Sequence, residues 1–145
     1  MATITDLLAV KGRHVHCIGP DATVLEAAQK MNEHRIGALV VLDAGQLRGV
    51  FSERDILQRV VAKCRDPEQT KVHEVMTRDV ICCTPQMPIE QARGLMRDRR
   101  VRHLPVLDEA GALCGLISIG DLNAHMATSQ ERHIHFLERY IYGQV

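Results

Sequence analysis

An internal repeat constrains the fold of this chain more than any other feature of its sequence. Residues 20–55 align with residues 85–121, and both copies run from a proline through a periodic apolar stretch to a glycine, a serine and an aspartate. The copies end in GVFSERD and GLISIGD, with these three residues at the same spacing. Because the copies of a repeat usually fold alike, the chain should contain two similar units that pack together.

Each copy predicts the element order β-α-β-β-α. A short strand precedes the proline, and a helix with apolar residues at a 3.6-residue period follows it. A strand pair joined by a glycine turn then forms a hairpin, and a last helix begins after the serine. The predicted strands are 14–18, 38–42 and 46–51 in the first copy and 79–83, 103–107 and 112–117 in the second. The expected fold class is therefore α/β (α+β), with tandem repeats about a pseudo-twofold axis.

The polar stretch KCRDPEQTK between the copies predicts a linker. The expected organisation is repeat 1 at 3–64, a linker at 65–74, repeat 2 at 75–127 and a C-terminal helix at 128–143. Repeats of about 60 residues bury little core alone, so the two should pack against each other and leave clefts at their junction.

Composition excludes several classes of partner. Lys and Arg total 18, as do Asp and Glu, and this zero net charge argues against nucleic-acid binding. The five cysteines are an odd number without scaffold spacing, which indicates reduced thiols and a cytoplasmic location. No apolar run approaches the roughly 20 residues of a membrane span, and the N-terminus lacks the pattern of a secretory signal.

These motifs, in order and twice over, resemble a pair of CBS domains, also called a Bateman module. The resemblance covers residues 3–127 and rests on the two G-h-x-S-x-x-D ends and on HRIGALVVLD, VHEVMTRDVICCTP and RVRHLPVLDEAG. It implies a small stand-alone module of the bacterial type that is not an enzyme. It further implies a homodimer that binds an adenosine ligand such as AMP, ADP, ATP, NAD(H) or S-adenosylmethionine. The module would act on a protein target whose identity is unknown from the sequence.

The serine and aspartate of each copy have two compatible interpretations. Ser52 with Asp55, and Ser118 with Asp121, have the spacing of a capping box at a helix N-terminus. The same arrangement suits a ligand, because a helix N-terminus attracts phosphate and a carboxylate in its first turn can accept both ribose hydroxyls.

The resemblance implies one ligand site for each copy. The first site combines the end of repeat 1 with cationic residues of repeat 2, and its members are Ser52, Arg54, Asp55, Arg102 and His103, with Cys17 and Ile18 flanking the adenine. The second site reverses the roles of the repeats, and its members are Ser118, Asp121, Gly37 and Ala38, with Cys82 and Cys83 at the purine.

Cations are distributed unevenly between the two predicted sites. Arg99, Arg100, Arg102 and His103 cluster in repeat 2, whereas Arg35 is alone at the matching place in repeat 1. Repeat 2 also has a glycine at position 120, where repeat 1 has an arginine. We therefore expect the first site to prefer the more phosphorylated ligand and the second to bind more weakly or to hold a nucleoside end.

Two alternatives to nucleotide sensing remain open. His14 and His16 share one face of the predicted first strand beside Cys17, which favours a zinc sensor, but further ligands at zinc spacing are missing and no metal is expected. The other alternative is a structural or interaction protein with empty clefts. No P-loop, GxSxG or HExxH signature occurs, so no catalytic residue is expected.

The C-terminal tail predicts a helix of its own. Thr128 and Glu131 have capping-box spacing, and Gly143 is typical of a helix end. Apolar residues form two adjacent stripes: Ile134, Leu137 and Ile141 in one, Phe136 and Tyr140 in the other. This helix either folds back on the core of its own chain or forms a dimer contact.

Overall fold

The two sequence copies fold into two small sheets flanked by helices. The computed structural model describes residues 1–142, with side chains of the last helix described up to residue 128 and at Ile134 and Leu137. The first half contains α1 (Ile4–Lys11), β1 (Cys17–Ile18), α2 (Val24–His34), β2 (Ala38–Asp43), β3 (Gln46–Ser52), α3 (Glu53–Asp55) and a π-helix (Ile56–Val61). The second half contains α4 (Val72–Val75), α5 (Ile89–Arg99), β4 (His103–Leu107), β5 (Leu113–Ser118) and α6 (Ile119–Tyr142).

Both predicted hairpins are confirmed. Strand β2 pairs antiparallel with β3, and β4 pairs antiparallel with β5. The turns contain Gly45 and Gly111 at φ values of 78° and 81°, a left-handed conformation that glycine adopts without steric cost. Each hairpin ends at the serine that starts the following helix, so the two hairpins deliver the two capping serines to equivalent places.

The strand predicted at 79–83 is wrong, and Pro105 explains why. In repeat 1, β1 lies parallel to β2, and the N–H of Val40 donates to the carbonyl of His16 at 3.1 Å. The matching residue of repeat 2 is Pro105, which has no N–H to donate. Only Cys83 therefore forms a bridge to β4, opposite Val106.

The prediction that a separate helix begins at Thr128 is also wrong. Helix α6 runs unbroken from Ile119 to Tyr142, and the hydroxyl of Thr128 donates to the carbonyl of Ala124 at 3.1 Å instead of capping a new helix. Ile134 and Leu137 are 55% and 40% exposed, so these side chains do not fold back on the core. Gly143 and the side chains of Phe136, Tyr140 and Ile141 lie outside the described part of the chain. Among residues 1–142, no helix is long and apolar enough to cross a bilayer.

The core consists of two mainly aliphatic clusters, and each includes residues from the segment that leads into the aligned copy of the other repeat. Helix α1 lies ahead of the first aligned copy, residues 20–55, but contributes Ile4, Leu7 and Leu8 to the core of repeat 2. Helix α4 lies ahead of the second aligned copy, residues 85–121, but contributes Val72 and Val75 to the core of repeat 1. We call residues 3–12 and 70–81 the first and second crossing segments. Each fully buried aliphatic side chain stabilises the fold by roughly 2 kcal/mol, so this exchange holds the repeats together.

The predicted linker, residues 65–74, is bonded to repeat 1. The N–H of Leu25 donates to the carbonyl of Pro67 at 3.1 Å, and that of Val24 donates to the carbonyl of Thr70 at 2.9 Å. The N–H of Val72 donates in turn to the carbonyl of Ala22 at 2.8 Å. These bonds guide the chain from repeat 1 directly into the second crossing segment.

Two glycines allow the crossing segments to approach the hairpins. A Cβ atom on Gly49 would lie 2.5 Å from the carbonyl oxygen of Thr77, and one on Gly115 would lie 2.8 Å from Cδ2 of Leu8. Next to Gly49, Val50 and Thr77 exchange two backbone hydrogen bonds of 3.0 Å. The second crossing segment is therefore paired to the edge of β3.

Substitution of Gly49 by alanine should lower the free energy of unfolding by about 1–3 kcal/mol, because its contact is with backbone that cannot turn aside. Gly115→Ala should cost less, since the side chain of Leu8 can shift. Urea denaturation measures both changes. The matched control is Gly19→Ala, where a Cβ atom meets nothing within 4 Å. A cost for Gly49→Ala no larger than that of Gly19→Ala would contradict this account of the crossing.

Candidate functional site

A cleft of about 860 Å³ opens between the two repeats. Its volume falls within the roughly 300–1,000 Å³ of small-molecule sites. Both capping serines line it, so residues from the ends of both hairpins face one space. Seven of the residues predicted to bind the ligand line this cleft: Gly37, Ser52, Arg54, Asp55, Arg102, His103 and Ser118.

The other predicted residues lie elsewhere in the described structure. Cys17 and Ile18 form β1 beside β2. Ala38 and Cys83 are buried, with 4% and 2% of their surfaces exposed. The remaining two predicted residues, Cys82 and Asp121, are also not among those that line the cleft.

Sequence reasoning missed the apolar wall of the cleft. Val50, Val80 and Ile81 line it, and Thr77 lies beside them. Val80 and Ile81 stand where Cys17 and Ile18 were expected to flank the adenine near Asp55. The reason is the crossing, which lays the second crossing segment along repeat 1. The apolar residues of DVICC signalled a buried stretch, but nothing in the sequence indicated which repeat would receive it.

The capping-box interpretation is confirmed at both copies. The N–H of Ser52 donates to Oδ2 of Asp55 at 2.9 Å, and the N–H of Asp55 donates back to the serine hydroxyl at 3.3 Å. Ser118 and Asp121 repeat the exchange at 2.8 and 3.1 Å. Each box satisfies backbone N–H groups that a helix start leaves free and fixes the carboxylate in the first turn.

The carboxylate of Asp55 is nearly buried, with its side chain 9% exposed. Its Oδ1 accepts a hydrogen bond from the hydroxyl of Thr77 at 3.3 Å and lies 3.7 Å from Nε of Arg59. Arg59 is held in turn by the carbonyls of Val75 and Met76, at 3.2 and 2.9 Å. Because a buried polar group requires such partners, these contacts hold the carboxylate of Asp55 in one orientation.

Charged groups from both repeats line the mouth of the cleft. They are Arg54, Arg59, Arg100 and Arg102, facing Glu53, Asp55 and Asp79. Nη1 of Arg54 donates to the carbonyl of Arg100 at 3.5 Å, a contact between the repeats. Although the chain has no net charge, its arginines outnumber its carboxylates here, and arginines beside a helix N-terminus suit an anion.

His103 lies half-buried in the cleft, on β4. Burial lowers the pKa of this imidazole below its usual value of 6.5, and the ammonium group of Lys11 lowers it further. The carboxylate of Asp121 raises the pKa, whereas Arg102 and Arg54 lower it. His103 is therefore mostly neutral near pH 7 while no further anion is bound in the cleft.

Asp121 has a partner of a different kind from those of Asp55. The ammonium nitrogen of Lys11 lies 2.6 Å from Oδ2 of Asp121 and also donates to the carbonyl of Leu116. The two side chains are 34% and 25% exposed, so the pair lies at the protein surface. The two copies of the capping box thus carry unlike neighbours.

The histidines proposed as metal ligands pack against each other and against His34. The rings of His14 and His16 meet edge to face at 4.6 Å, and those of His16 and His34 stack at 4.1 Å. Desolvation lowers the pKa of His16, and so do His34, His14 and Lys30 in that order. In the described part of the chain, no group of three His, Cys, Asp or Glu residues could hold a metal ion.

Comparison with known proteins agrees with this architecture. The CBS domain family model matches residues 3–62 and again residues 72–127, so the chain belongs to the CBS-domain family as a tandem pair. Proteins of this family are generally regulatory modules. The CBS domain-containing protein YhcV of Bacillus subtilis is 34% identical over 130 residues, which cover 90% of this chain and 89% of YhcV. The crystal structure of the CBS domain protein NE2398 is 40% identical and superposes with a TM-score of 0.83, over 87% of this chain and 98% of that one.

Two further structures add a ligand and an assembly to the comparison. Hypoxic Response Protein I, crystallised with two coordinated zinc ions, is 30% identical with a TM-score of 0.71, over 86% of this chain and 99% of its own. The hexameric CBS-CP12 protein of bloom-forming cyanobacteria is 26% identical with a TM-score of 0.74, over 84% of this chain and 69% of its own. One protein with this fold therefore holds zinc ions, and another assembles as a hexamer.

Proposed function

We propose that this protein is a non-catalytic regulatory module that binds an adenosine nucleotide, AMP, ADP, ATP or NAD(H), between its two CBS repeats. In this role it senses the energy or redox state of the cell. One observation carries the proposal: a single cleft brings together a nearly buried carboxylate, a capped helix start, four arginines and an apolar wall. Such a combination of apolar lining and a few convergent polar groups is typical of a small-molecule site.

Each part of the cleft suits one part of a nucleotide. The apolar wall of Val50, Val80 and Ile81 suits a purine ring, which gains from leaving water. The carboxylate of Asp55 suits ribose hydroxyls, which would compete with the hydroxyl of Thr77 for Oδ1. The arginines at the mouth, among them Arg54, suit the phosphates.

Signalling would follow from the fact that both repeats build the cleft. Arg54 belongs to repeat 1, whereas Arg102 belongs to repeat 2. A ligand that touches both arginines binds best at one relative position of the repeats, and it shifts the population towards that position. A target protein that recognises the same arrangement would then respond to the ligand.

Exposed apolar side chains support a homodimer as part of the proposal. Leu57 and Val61 of the π-helix are 63% and 61% exposed, and Ile134 and Leu137 of α6 are also exposed. These residues belong to the last helix of each repeat, and surfaces of this kind commonly form contacts between subunits. The five free thiols favour a reducing compartment, and we propose a cytoplasmic location.

A zinc sensor is the less favoured candidate. Hypoxic Response Protein I holds zinc on the same fold. The observation against this role here is that, among the described residues, no group of three His, Cys, Asp or Glu side chains could hold a metal ion.

An adenosine nucleotide should raise the melting temperature of the purified, ligand-free protein, because it binds the folded state only. A thermal-shift panel of AMP, ADP, ATP, NAD⁺, NADH, S-adenosylmethionine and zinc measures this. Asp55→Asn, which keeps an oxygen for the capping box, should lose most of the shift. The matched Asp121→Asn should keep it. Absence of any nucleotide shift would contradict the proposed function, and a shift with zinc alone would favour the metal sensor.

Arg100 and Arg35 form a matched pair that separates stability from binding. Both end a helix with a left-handed φ, 55° and 54°, and replacement by glycine relieves about 1 kcal/mol or less of backbone strain. Both Arg→Gly variants should therefore be as stable as the wild type or slightly more so, by urea denaturation. Only Arg100→Gly should bind ATP more weakly, by about tenfold, because only Arg100 lines the cleft. Equal affinity of the two variants would contradict the assignment of Arg100.

Nucleotide binding should be coupled to proton uptake by His103. The pKa of His103 is lowered in the free protein, and a phosphate bound beside the imidazole would raise it. Affinity for the nucleotide should therefore increase as the pH falls through the pKa of His103 in the complex. It should level off once the pH is below the pKa of His103 in the free protein. Each unit of difference corresponds to about a tenfold change in affinity. Calorimetric titration in buffers of different ionisation heat measures the uptake. The variant His103→Gln should lose the proton uptake by His103 and keep only the pH dependence that comes from ionisation of the nucleotide itself. A pH profile of affinity that is the same in this variant as in the wild type would contradict the coupling.

A further inference from the structure

Each of the two capping aspartates receives a neighbour from one of the crossing segments. In the first copy, the N–H of Thr77 donates to the carbonyl of Val50 at 3.0 Å, and its hydroxyl donates to Oδ1 of Asp55 at 3.3 Å. In the second copy, Lys11 donates to the carbonyl of Leu116 and to Asp121. Leu116 and Asp121 match Val50 and Asp55 in the repeat alignment. One lysine ammonium thus contacts both the matching carbonyl and the matching carboxylate, and on the carboxylate it bonds Oδ2, the oxygen that also accepts from the N–H of Ser118.

The replacement changes the strength of the contact. The hydroxyl of Thr77 is neutral, and its 3.3 Å separation from Asp55 is long for an O–H···O bond. The ammonium of Lys11 is charged and lies 2.6 Å from Oδ2 of Asp121. Asp55 also has a cation nearby, but Nε of Arg59 is 3.7 Å from its Oδ1, beyond hydrogen-bond distance, and Nη1 of Arg59 is already bonded to two backbone carbonyls. The short bond between the charged groups of Lys11 and Asp121 is therefore the stronger contact, and a ribose hydroxyl displaces the threonine more easily than the lysine.

The backbone that carries Lys11 is anchored firmly. Lys11 is in the last turn of α1, whose Ile4, Leu7 and Leu8 are buried in the core of repeat 2. The N–H of Ile4 also donates to the carbonyl of Met87 at 3.0 Å. The lysine is therefore delivered to Asp121 at a high local concentration, which no free cation in solution matches.

We propose that Lys11 is an internal competitor at the second site: its ammonium occupies the carboxylate of Asp121 and excludes the ribose of a nucleotide. The chain then has one open nucleotide site, at Asp55, although it contains two copies of the motif. This inference rests on the proposed function, since it concerns the same ligand at the second copy. It also gives the asymmetry expected from the sequence a cause that lies outside the two aligned copies, residues 20–55 and 85–121.

Calorimetric titrations with ATP and, separately, with AMP test the proposal. The wild type should bind one nucleotide per chain, and this event should be lost in Asp55→Asn. Lys11→Met should gain a second binding event, which should disappear in Lys11→Met/Asp121→Asn. Lys63→Met makes the same change at an exposed lysine in the turn after the π-helix and should leave the stoichiometry at one. Lys11→Arg retains a cation and should also bind one nucleotide.

The outcomes separate this inference from the proposed function. Wild-type binding that depends on Asp55, together with unchanged stoichiometry in Lys11→Met, would overturn the role of Lys11 and leave the proposed function intact. Weaker binding in Lys11→Met would overturn it too, because Lys11 would then be a ligand for the nucleotide. If no variant bound a nucleotide, both would fail. Circular dichroism melting of each variant verifies that it is folded, and Lys11→Gln provides a second neutral variant.

Discussion

The reciprocal exchange of crossing segments is the interaction on which the rest of this structure depends. Leu8 reaches the core of repeat 2 over Gly115, and Met76 reaches the core of repeat 1 beside Gly49. Each repeat is too small for a comfortable core of its own, so the exchange supplies apolar surface that both lack. The same exchange pairs Thr77 with β3 and places Val80 and Ile81 in the wall of the cleft. The cleft is therefore a consequence of how the two cores are completed.

Similar sequence copies produce unlike surroundings for the two capping boxes. The boxes themselves agree within a few tenths of an ångström in their hydrogen bonds. Their neighbours differ, because Thr77 and Lys11 come from crossing segments whose sequences are less alike than the repeats. The carboxylate of Asp55 thereby has a long hydrogen bond from Thr77 and the Arg59 guanidinium 3.7 Å away, whereas that of Asp121 has the Lys11 ammonium at 2.6 Å. The difference between Thr77 and Lys11 in the crossing segments accounts for this asymmetry.

Much of this structure followed from the sequence where the signal was local. Glycine turns predicted both hairpins, and the spacing of Ser52 with Asp55 predicted a capping box that the hydrogen bonds confirm. Non-local features escaped prediction. The shortened pairing at 79–83 depends on Pro105, which lies in another strand, and the neighbours of Asp55 depend on which repeat receives a crossing segment. Both cores are mainly aliphatic, so apolar patterning fits either choice equally well.

The central claim is that a nucleotide binds between the repeats at the first capping box, and a crystal structure of the protein grown with ATP tests it most directly. The account predicts one nucleotide per chain, with its ribose at Asp55, its base against Val80 and Ile81, and its phosphates towards Arg54 and Arg102. A nucleotide seated at Asp121 with the cleft at Asp55 empty would contradict the account. So would crystals grown at saturating ATP in which neither capping box contacts a ligand.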